Sequence, residues 1–297
     1  LSPNDRWLVA SASQGFNKTE VYLKDRTQKD APWIPIAEGI ASLFYVSAYD
    51  DRLLVHTNHK APRYQLYALD PLDPSKKTPL IAEGKDVLQG VSVVGDTMFA
   101  SYLENSSSRL RLFSLSGKPK GDLPLPAIGT SWGAGGRWDG DEAFFGFTSF
   151  AIAPTVYRYD LETKKVELWD RIDAPISPDD FEVTQVHYPS KDKTPISMFL
   201  IHKKGLTRNG DNPTYLSGYG GFNISQTPSF LSASYLFLER GGVIALPNLR
   251  GGGEYGESWH EAGMLAKKQN VFDDFIAAAE WLIAEKWTRP ERLAISG

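Results

Sequence analysis

The sequence predicts a multidomain chain of β plus α/β class. A partial β-propeller of about four blades occupies residues 1–178, and the first part of a doubly wound α/β sheet occupies 179–297. Three observations predict this. A strand motif returns at nearly constant spacing through the first part. A polar, proline-rich stretch then interrupts it, and beyond that stretch short apolar strands alternate with loops and a helix-period segment.

The repeat is an acidic turn followed by an apolar strand: Asp5-Arg6-Trp7-Leu8-Val9, Asp51-Arg52-Leu53-Leu54-Val55, Asp96-Thr97-Met98-Phe99-Ala100 and Asp141-Glu142-Ala143-Phe144-Phe145. Its leading aspartates stand 46, 45 and 45 residues apart. A second strand keeps the same phase, in Val21–Asp25, Leu66–Asp70, Leu112–Ser116 and Val156–Asp160, with ends 45, 46 and 44 residues apart. Two landmarks holding one period of 40 to 50 residues, with Gly, Asp, Asn and Pro turns between them, are the signature of propeller blades; a plain antiparallel sandwich has no reason to keep it. Closed propellers carry about 4 to 8 blades. The chain begins at Leu1-Ser2-Pro3-Asn4 and stops at Leu293-Ala294-Ile295-Ser296-Gly297, so both ends are expected to be cut and the four blades to be the later part of a larger ring.

The stretch from Arg171 to Glu182, with Pro175, Pro178, Asp179 and Asp180, reads as the linker between the two units. After it, Val183–Tyr188 and Ile196–His202 read as a hairpin around Ser190-Lys191-Asp192-Lys193. Pro213–Leu216 is a strand entering the Gly-rich segment Ser217–Phe222, and Gly242–Pro247 a strand entering Arg250–Gly256. Between Val271 and Lys286, the residues Phe272, Phe275, Ile276, Ala279, Leu282 and Ile283 follow helical spacing and predict one buried face. Asn270 is expected to cap this helix, with Asp273 and Asp274 complementing its dipole. Arg292–Ser296 is one more strand. Strands alternating with helices imply a mainly parallel sheet.

Composition excludes several function classes. The net charge is -4, with no basic cluster interleaved with aromatics, so nucleic acid is not an expected partner. There is no cysteine, which removes disulfides, thiol catalysis and cysteine-ligated metal. The longest apolar runs fall far short of the roughly 20 residues that cross a bilayer as a helix. No membrane partner and no cofactor are expected. A cysteine-free chain suits a reducing compartment, and a cytoplasmic location is the expectation, with periplasmic or secreted sites left open.

Several motifs suggest chemistry that their context denies. Gly251–Gly256 fits G-x-G-x-x-G after a strand, but the acidic residue about twenty positions on, Asp273, opens a helix instead of closing a second strand, so a tight structural loop is expected. His260-Glu261 resembles the start of a zinc-protease helix, yet Met264 stands where the second histidine belongs, and no metal site is expected. His56, His59, His187 and His202 lie in strand-like segments and read as structural. Gly256-Glu257-Ser258-Trp259-His260 misses the nucleophile elbow G-x-S-x-G at its last position and follows a glycine loop, not a strand. Residues two apart on a helix also do not face each other, so Ser258 and His260 are not expected to form a dyad. Arg292–Gly297 has the better context for an elbow: a strand that follows an amphipathic helix and ends in glycine.

Tyr219-Gly220-Gly221-Phe222-Asn223-Ile224-Ser225, then Asn248–Glu257 with Trp259, then Lys268-Gln269-Asn270 and Phe272-Asp273-Asp274-Phe275, resemble in order and spacing the motifs of the prolyl oligopeptidase family of serine peptidases. The likeness covers essentially the whole chain. It implies later blades of a seven-bladed propeller followed by the opening part of an α/β-hydrolase domain, with the nucleophile two residues past Gly297 and the aspartate and histidine of the triad later still. Two site residues carry over from it. Tyr219 matches the tyrosine whose hydroxyl helps to form the oxyanion hole, and Phe222 an aromatic lining the pocket for the residue before the scissile bond. A loop with Gly-Gly-Phe-Asn-Ile-Ser after the tyrosine resembles the proline-specific branch; Ser217, where relatives often carry an aromatic, is a departure.

The resemblance implies that the parent protein is a serine endopeptidase that hydrolyses short proline-containing peptides on the carboxyl side of proline, a monomer at full length, and that these 297 residues are inactive by themselves. Two other functions stay open at this point: a non-catalytic propeller that binds peptides and carries a degenerate hydrolase remnant, and a basic-residue-specific oligopeptidase of the same family.

Overall fold

The structure, a computed structural model, describes residues 1–49, 51–174 and 176–297. Pro175, part of the expected linker, lies outside the described residues. Up to Arg171 the chain forms successive antiparallel sheets. The first has three strands, β1 (Trp7–Gln14), β2 (Lys18–Asp25) and β3 (Ile34–Ala37). Three four-stranded sheets follow. The second holds β4 (Phe44–Tyr49), β5 (Arg52–Thr57), β6 (Gln65–Asp70) and β7 (Asp73–Ile81). The third holds β8 (Val87–Val94), β9 (Thr97–Glu104), β10 (Ser107–Ser114) and β11 (Pro119–Leu123). The fourth holds β12 (Thr130–Gly135), β13 (Glu142–Thr148), β14 (Thr155–Asp160) and β15 (Val166–Arg171).

The repeated motif maps onto one hairpin per sheet. The strand after the acidic turn is β1, β5, β9 or β13, and its partner is β2, β6, β10 or β14. Successive side chains on a strand point to opposite faces, and each sheet uses this to bury one set against each neighbour. Leu53 packs with Trp7, Leu23 and Phe44 between the first and second sheets. Its neighbour Leu54 packs with Leu88, Met98 and Tyr102 between the second and third. Phe99, Leu110, Phe145 and Tyr159 fill the next gap. Stacked sheets with the core in the seams are propeller blades.

The second unit is built on β16 (Phe181–Pro189), β17 (Pro195–Lys203), β18 (Thr214–Ser217), β19 (Val243–Pro247) and β20 (Leu293–Ser296). These pair in the order β16-β17-β19-β18-β20. The pairs β16/β17 and β17/β19 are antiparallel, β19/β18 and β18/β20 parallel. The sheet is therefore mixed where a mainly parallel one was expected, because the opening hairpin adds antiparallel strands on one side. All of Ile196–His202 on β17 is buried, as a strand covered on both faces must be. One face carries Met198, Leu200, Leu216, Val243 and Ala245 under helix α3 (Gln269–Ala284). The other carries Phe199, Ile201 and Ile244 under α1 (Tyr235–Glu239) and Phe150 of the propeller.

Helix α3 corrects three expectations. Asn270 lies inside it and donates from Nδ2 to Ala262 O at 2.9 Å, while Lys268 occupies the cap position without a side-chain cap. Its buried stripe is Val271, Asp274, Ala278 and Leu282; Phe272 and Ile276 are both 53 % exposed. Asp274 does not serve the helix dipole in the first turn. It points inward with Val271, Ala278 and Leu282 and pairs with Arg250 on the loop after β19.

Candidate active site

Two glycine-rich loops lie against each other at the carboxyl ends of the parallel strands. The first leaves β18. Gly218 N donates to Ser296 O at 3.3 Å, so Tyr219 begins its loop beside the last residues of β20. Gly220 then turns the chain with φ +61, in a space where a Cβ would overlap the Val271 side chain and stand 2.8 Å from Leu249 Cβ and 2.9 Å from Arg250 O. Only glycine fits both the conformation and the space. Lys268 Nζ donates to Gly220 O at 2.7 Å. Phe222 and Asn223 adopt φ 53 and 59, left-handed values that side-chain-bearing residues hold only when their surroundings enforce them.

The second loop, Asn248–Gly256, supplies that enforcement. Asn223 N donates to Gly251 O at 3.1 Å, and the Nδ1 of His260, on the short helix α2 (Glu257–Glu261), lies 2.8 Å from the same oxygen. Gly253 packs so tightly that a Cβ there would stand 2.7 Å from both Asn223 O and Asn223 Oδ1. Gln226 closes the segment: its N–H donates to Glu254 Oε1 at 2.8 Å and its carbonyl accepts from Asn248 Nδ2 at 2.7 Å. The G-x-G-x-x-G match is thus a packing device for the Tyr219 loop.

Tyr219 is 46 % exposed, and among the described residues its hydroxyl has no hydrogen-bond partner. Phe222 is 59 % exposed, with its ring centroid 6.5 Å from that of Tyr219 and 5.6 Å from Phe16 on the turn between β1 and β2. Phe222, Asn223, Ser225 and Gly253 face the propeller across a cavity of about 570 Å³ whose far wall includes Tyr45, His56 and Tyr64. His56 is stacked between the two tyrosines at 5.6 and 4.7 Å. Its burial lowers its pKa, and with Nε2 2.8 Å from Leu88 O it is a neutral imidazole donating to that carbonyl. The wall offers aromatic faces and little charge, a surface that suits apolar side chains and proline rings.

Of the sequence candidates, Tyr219 and Phe222 come together on one loop. Ser258 and His260 share α2 without a mutual hydrogen bond, and His260 Nδ1 is engaged with Gly251 O. Among the described residues, no group of three or more His, Asp or Glu could hold a metal ion. Sequence reasoning missed Phe16, Lys268 and Glu254. Phe16 acts from a distant position with no local signal, and Lys268, though it opens one of the quoted motifs, had no role assigned to it. Glu254 had a local signal: an acidic residue inside a run of glycines that the fold must pack.

Known proteins similar to this chain in sequence and arrangement are consistent in kind. The N-terminal β-propeller domain of prolyl oligopeptidase matches residues 1–171, and the prolyl oligopeptidase family profile matches 228–297. Prolyl endopeptidase of Elizabethkingia miricola is 36 % identical over 300 residues, taking in 100 % of this chain and 42 % of the relative. A prolyl oligopeptidase of Omphalotus olearius is 37 % identical over 311 residues, again 100 % of this chain and 42 % of the relative. Among solved structures, one from a structural and mechanistic analysis of two prolyl endopeptidases superposes with a TM-score of 0.94 at 41 % identity, covering 99 % of this chain and 44 % of that one. Prolyl oligopeptidase B from Galerina marginata, bound to a 35mer hydrolysis and macrocyclization substrate, superposes at 0.93 with 29 % identity, covering 99 % and 43 %. The chain spans less than half the length of these relatives.

Proposed function

Because this chain belongs to the prolyl oligopeptidase family, we propose that the whole protein is a serine endopeptidase that cuts short peptides on the carboxyl side of proline. The observation that carries the reading is the placement of Tyr219 and Phe222. An exposed phenol and an exposed aromatic ring sit on one loop at the carboxyl ends of β18 and β20, and the ring of Phe222 lines an aromatic-walled cavity that faces the propeller. The carboxyl ends of parallel strands are where α/β sheets place their ligands.

In this reading Phe222 stacks on the pyrrolidine ring, which offers shape and apolar surface but no N–H. The scissile carbonyl then lies under the Tyr219 hydroxyl. A serine in the turn that continues from Gly297 attacks the carbonyl, its proton passing to a histidine base, and the negative charge that develops on the oxygen is met by the phenol. The approach is sterically prepared: a Cβ on Gly297 would stand 2.9 Å from Gly218 O, so glycine is required where β20 passes the Tyr219 loop. The propeller restricts entry to short, flexible peptides. The 297 residues by themselves are inert, since they bring the oxyanion donor and the proline pocket without a serine–histidine pair aligned to them.

Turnover of paired proline and arginine anilide substrates by the full-length protein tests the proposal. Cleavage after proline with an intact Tyr219 dependence is expected; preference for arginine would move the protein to the basic-specific branch, and binding without turnover to a non-catalytic role. Hydrolysis by the isolated 297-residue chain would contradict its assigned inertness.

A further inference from the structure

Glu254 has no part in the chemistry above, yet it is a buried carboxyl group beside the site that, unlike Asp274, has no ion-pair partner among the described residues. It is 1 % exposed, and among the described residues its Oε2 has no hydrogen-bond partner. Its other oxygen accepts the Gln226 N–H at 2.8 Å. Gln226 is held at its carbonyl by Asn248, which is itself buried and accepts at Oδ1 from Ser197 Oγ at 2.9 Å. Ser197 Oγ lies 2.7 Å from Tyr255 Oη. A chain of polar groups thus runs from the sheet to the end of the Phe222 loop, and Glu254 and Asn248 grip Gln226 from both sides. A Cβ at Gly253 would be 3.0 Å from Ser225 Oγ, so the two loops have no slack between them.

We propose that Glu254 is a positioning residue, which fixes the 219–226 loop and thereby sets the affinity of the Phe222 pocket for proline. This rests on the function proposed above. The carboxyl touches neither substrate nor reacting atoms; it acts through Gln226. The groups that hydrogen-bond to it are neutral: Gln226 of the Tyr219 loop and Asn248 at the start of its own loop. Its sequence neighbour Tyr255 is kept protonated by burial and is the titratable group that feels it. Desolvation pushes the Glu254 carboxyl up to about 7, against smaller opposing contributions from the Gln226 N–H and Asn248. The sign follows. Below about 7 the acid is neutral and its burial is tolerated; above it, a carboxylate stands away from water with no counter-ion among the described residues, and relief comes from opening the loop to water.

The experiment uses the full-length protein, its Glu254→Gln and Glu254→Ala variants, and two readouts at pH 6 and 8. One is KM and kcat on a proline anilide; the other is hydrogen exchange of peptides covering 219–226, corrected for intrinsic pH dependence. For the wild type, KM is expected to rise several-fold and loop exchange to quicken from pH 6 to pH 8. Glu254→Gln, which keeps an acceptor and cannot ionise, is expected to hold both flat. Glu254→Ala is expected to raise KM by about tenfold at pH 6 with a smaller change in kcat. Loop exchange and KM that ignore pH in the wild type, a Gln variant that keeps the pH dependence, or an Ala variant that loses kcat without a rise in KM would each overturn the proposal. Wild-type exchange needs neither a variant nor activity. It therefore tests Glu254 even if the variants misfold, and failure to cleave proline substrates would count against the peptidase reading alone.

Discussion

Arg250 and Asp274 form a buried bidentate ion pair, Nη2 to Oδ1 at 2.6 Å and Nε to Oδ2 at 3.0 Å, that joins the loop after β19 to helix α3. Asp274 also accepts the Arg250 N–H at 3.1 Å and the Ser190 hydroxyl at 2.6 Å. Asp192 takes the outer edge of the guanidinium at 2.6 Å. Removing one partner strands a charge away from water, so Asp274→Ala should cost about 3–5 kcal/mol. Urea unfolding should show this as a lowered midpoint, with Asp274→Asn closer to wild type.

Gly220→Ala should destabilise by roughly 1–3 kcal/mol, since it combines a left-handed φ with overpacking against Val271 and Leu249. The backbone it displaces carries both Tyr219 and Phe222. Thermal unfolding should report the loss, and in the full-length protein proline turnover should fall with it.

Tyr219→Phe should lower kcat on proline substrates by roughly 10² to 10³ and change KM little, the mark of a donor that acts in the transition state. Stability should stay near wild type, because the hydroxyl has no hydrogen-bond partner among the described residues. Steady-state kinetics with a parallel melt separate the two effects.

Phe16 and Phe222 meet across the interface between propeller and hydrolase parts, at 5.6 Å. Phe222→Ala should raise KM for proline substrates by about tenfold, and Phe16→Ala by only about threefold, as an aromatic pair adds roughly 0.5–1.5 kcal/mol beyond area and this one is exposed. A double-mutant cycle on KM should give less than the sum of the single effects.

Acid should weaken the fold through Asp25 and Asp192. The hydrogen bond from Arg6, then those from Thr27, hold Asp25 down at about 2, and the hydrogen bond from Arg250 does the same for Asp192. Both groups bind protons more readily unfolded, at 3.8, so their contribution is complete above about 4 and is lost as pH falls through 2. Denaturant midpoints measured from pH 5 to pH 2 should fall, and less steeply in Asp192→Asn, which has already lost part of the effect.

The blades were legible because their signal is local and repeated. Each copy carries a turn, an alternating strand and a partner strand, and those spacings appear directly in the hairpins β1/β2, β5/β6, β9/β10 and β13/β14. The strands of the second unit were legible for the same reason. Helix α3 was found, but its inward face was misjudged: Phe272 and Ile276 have the right period, yet the side that faces inward carries Asp274, paired with Arg250, 24 residues away. Asn270 is not the cap because the helix begins one residue before it, at Gln269, and its side-chain amide instead donates to Ala262 O.

By itself, then, the sequence determined the class of each part, the order of the strands along the chain, and the position of Tyr219 and Phe222 on a glycine loop at a strand end. These follow from turn chemistry and side-chain period within a few residues. Tertiary structure alone decided that the sheet is mixed and that Phe16 stands against Phe222. It also decided that Arg250 and Asp274 are buried as a pair and that Glu254 is enclosed beside Gln226. Those outcomes depend on which groups remove water from one another, and that is set by segments tens to hundreds of residues apart meeting in space.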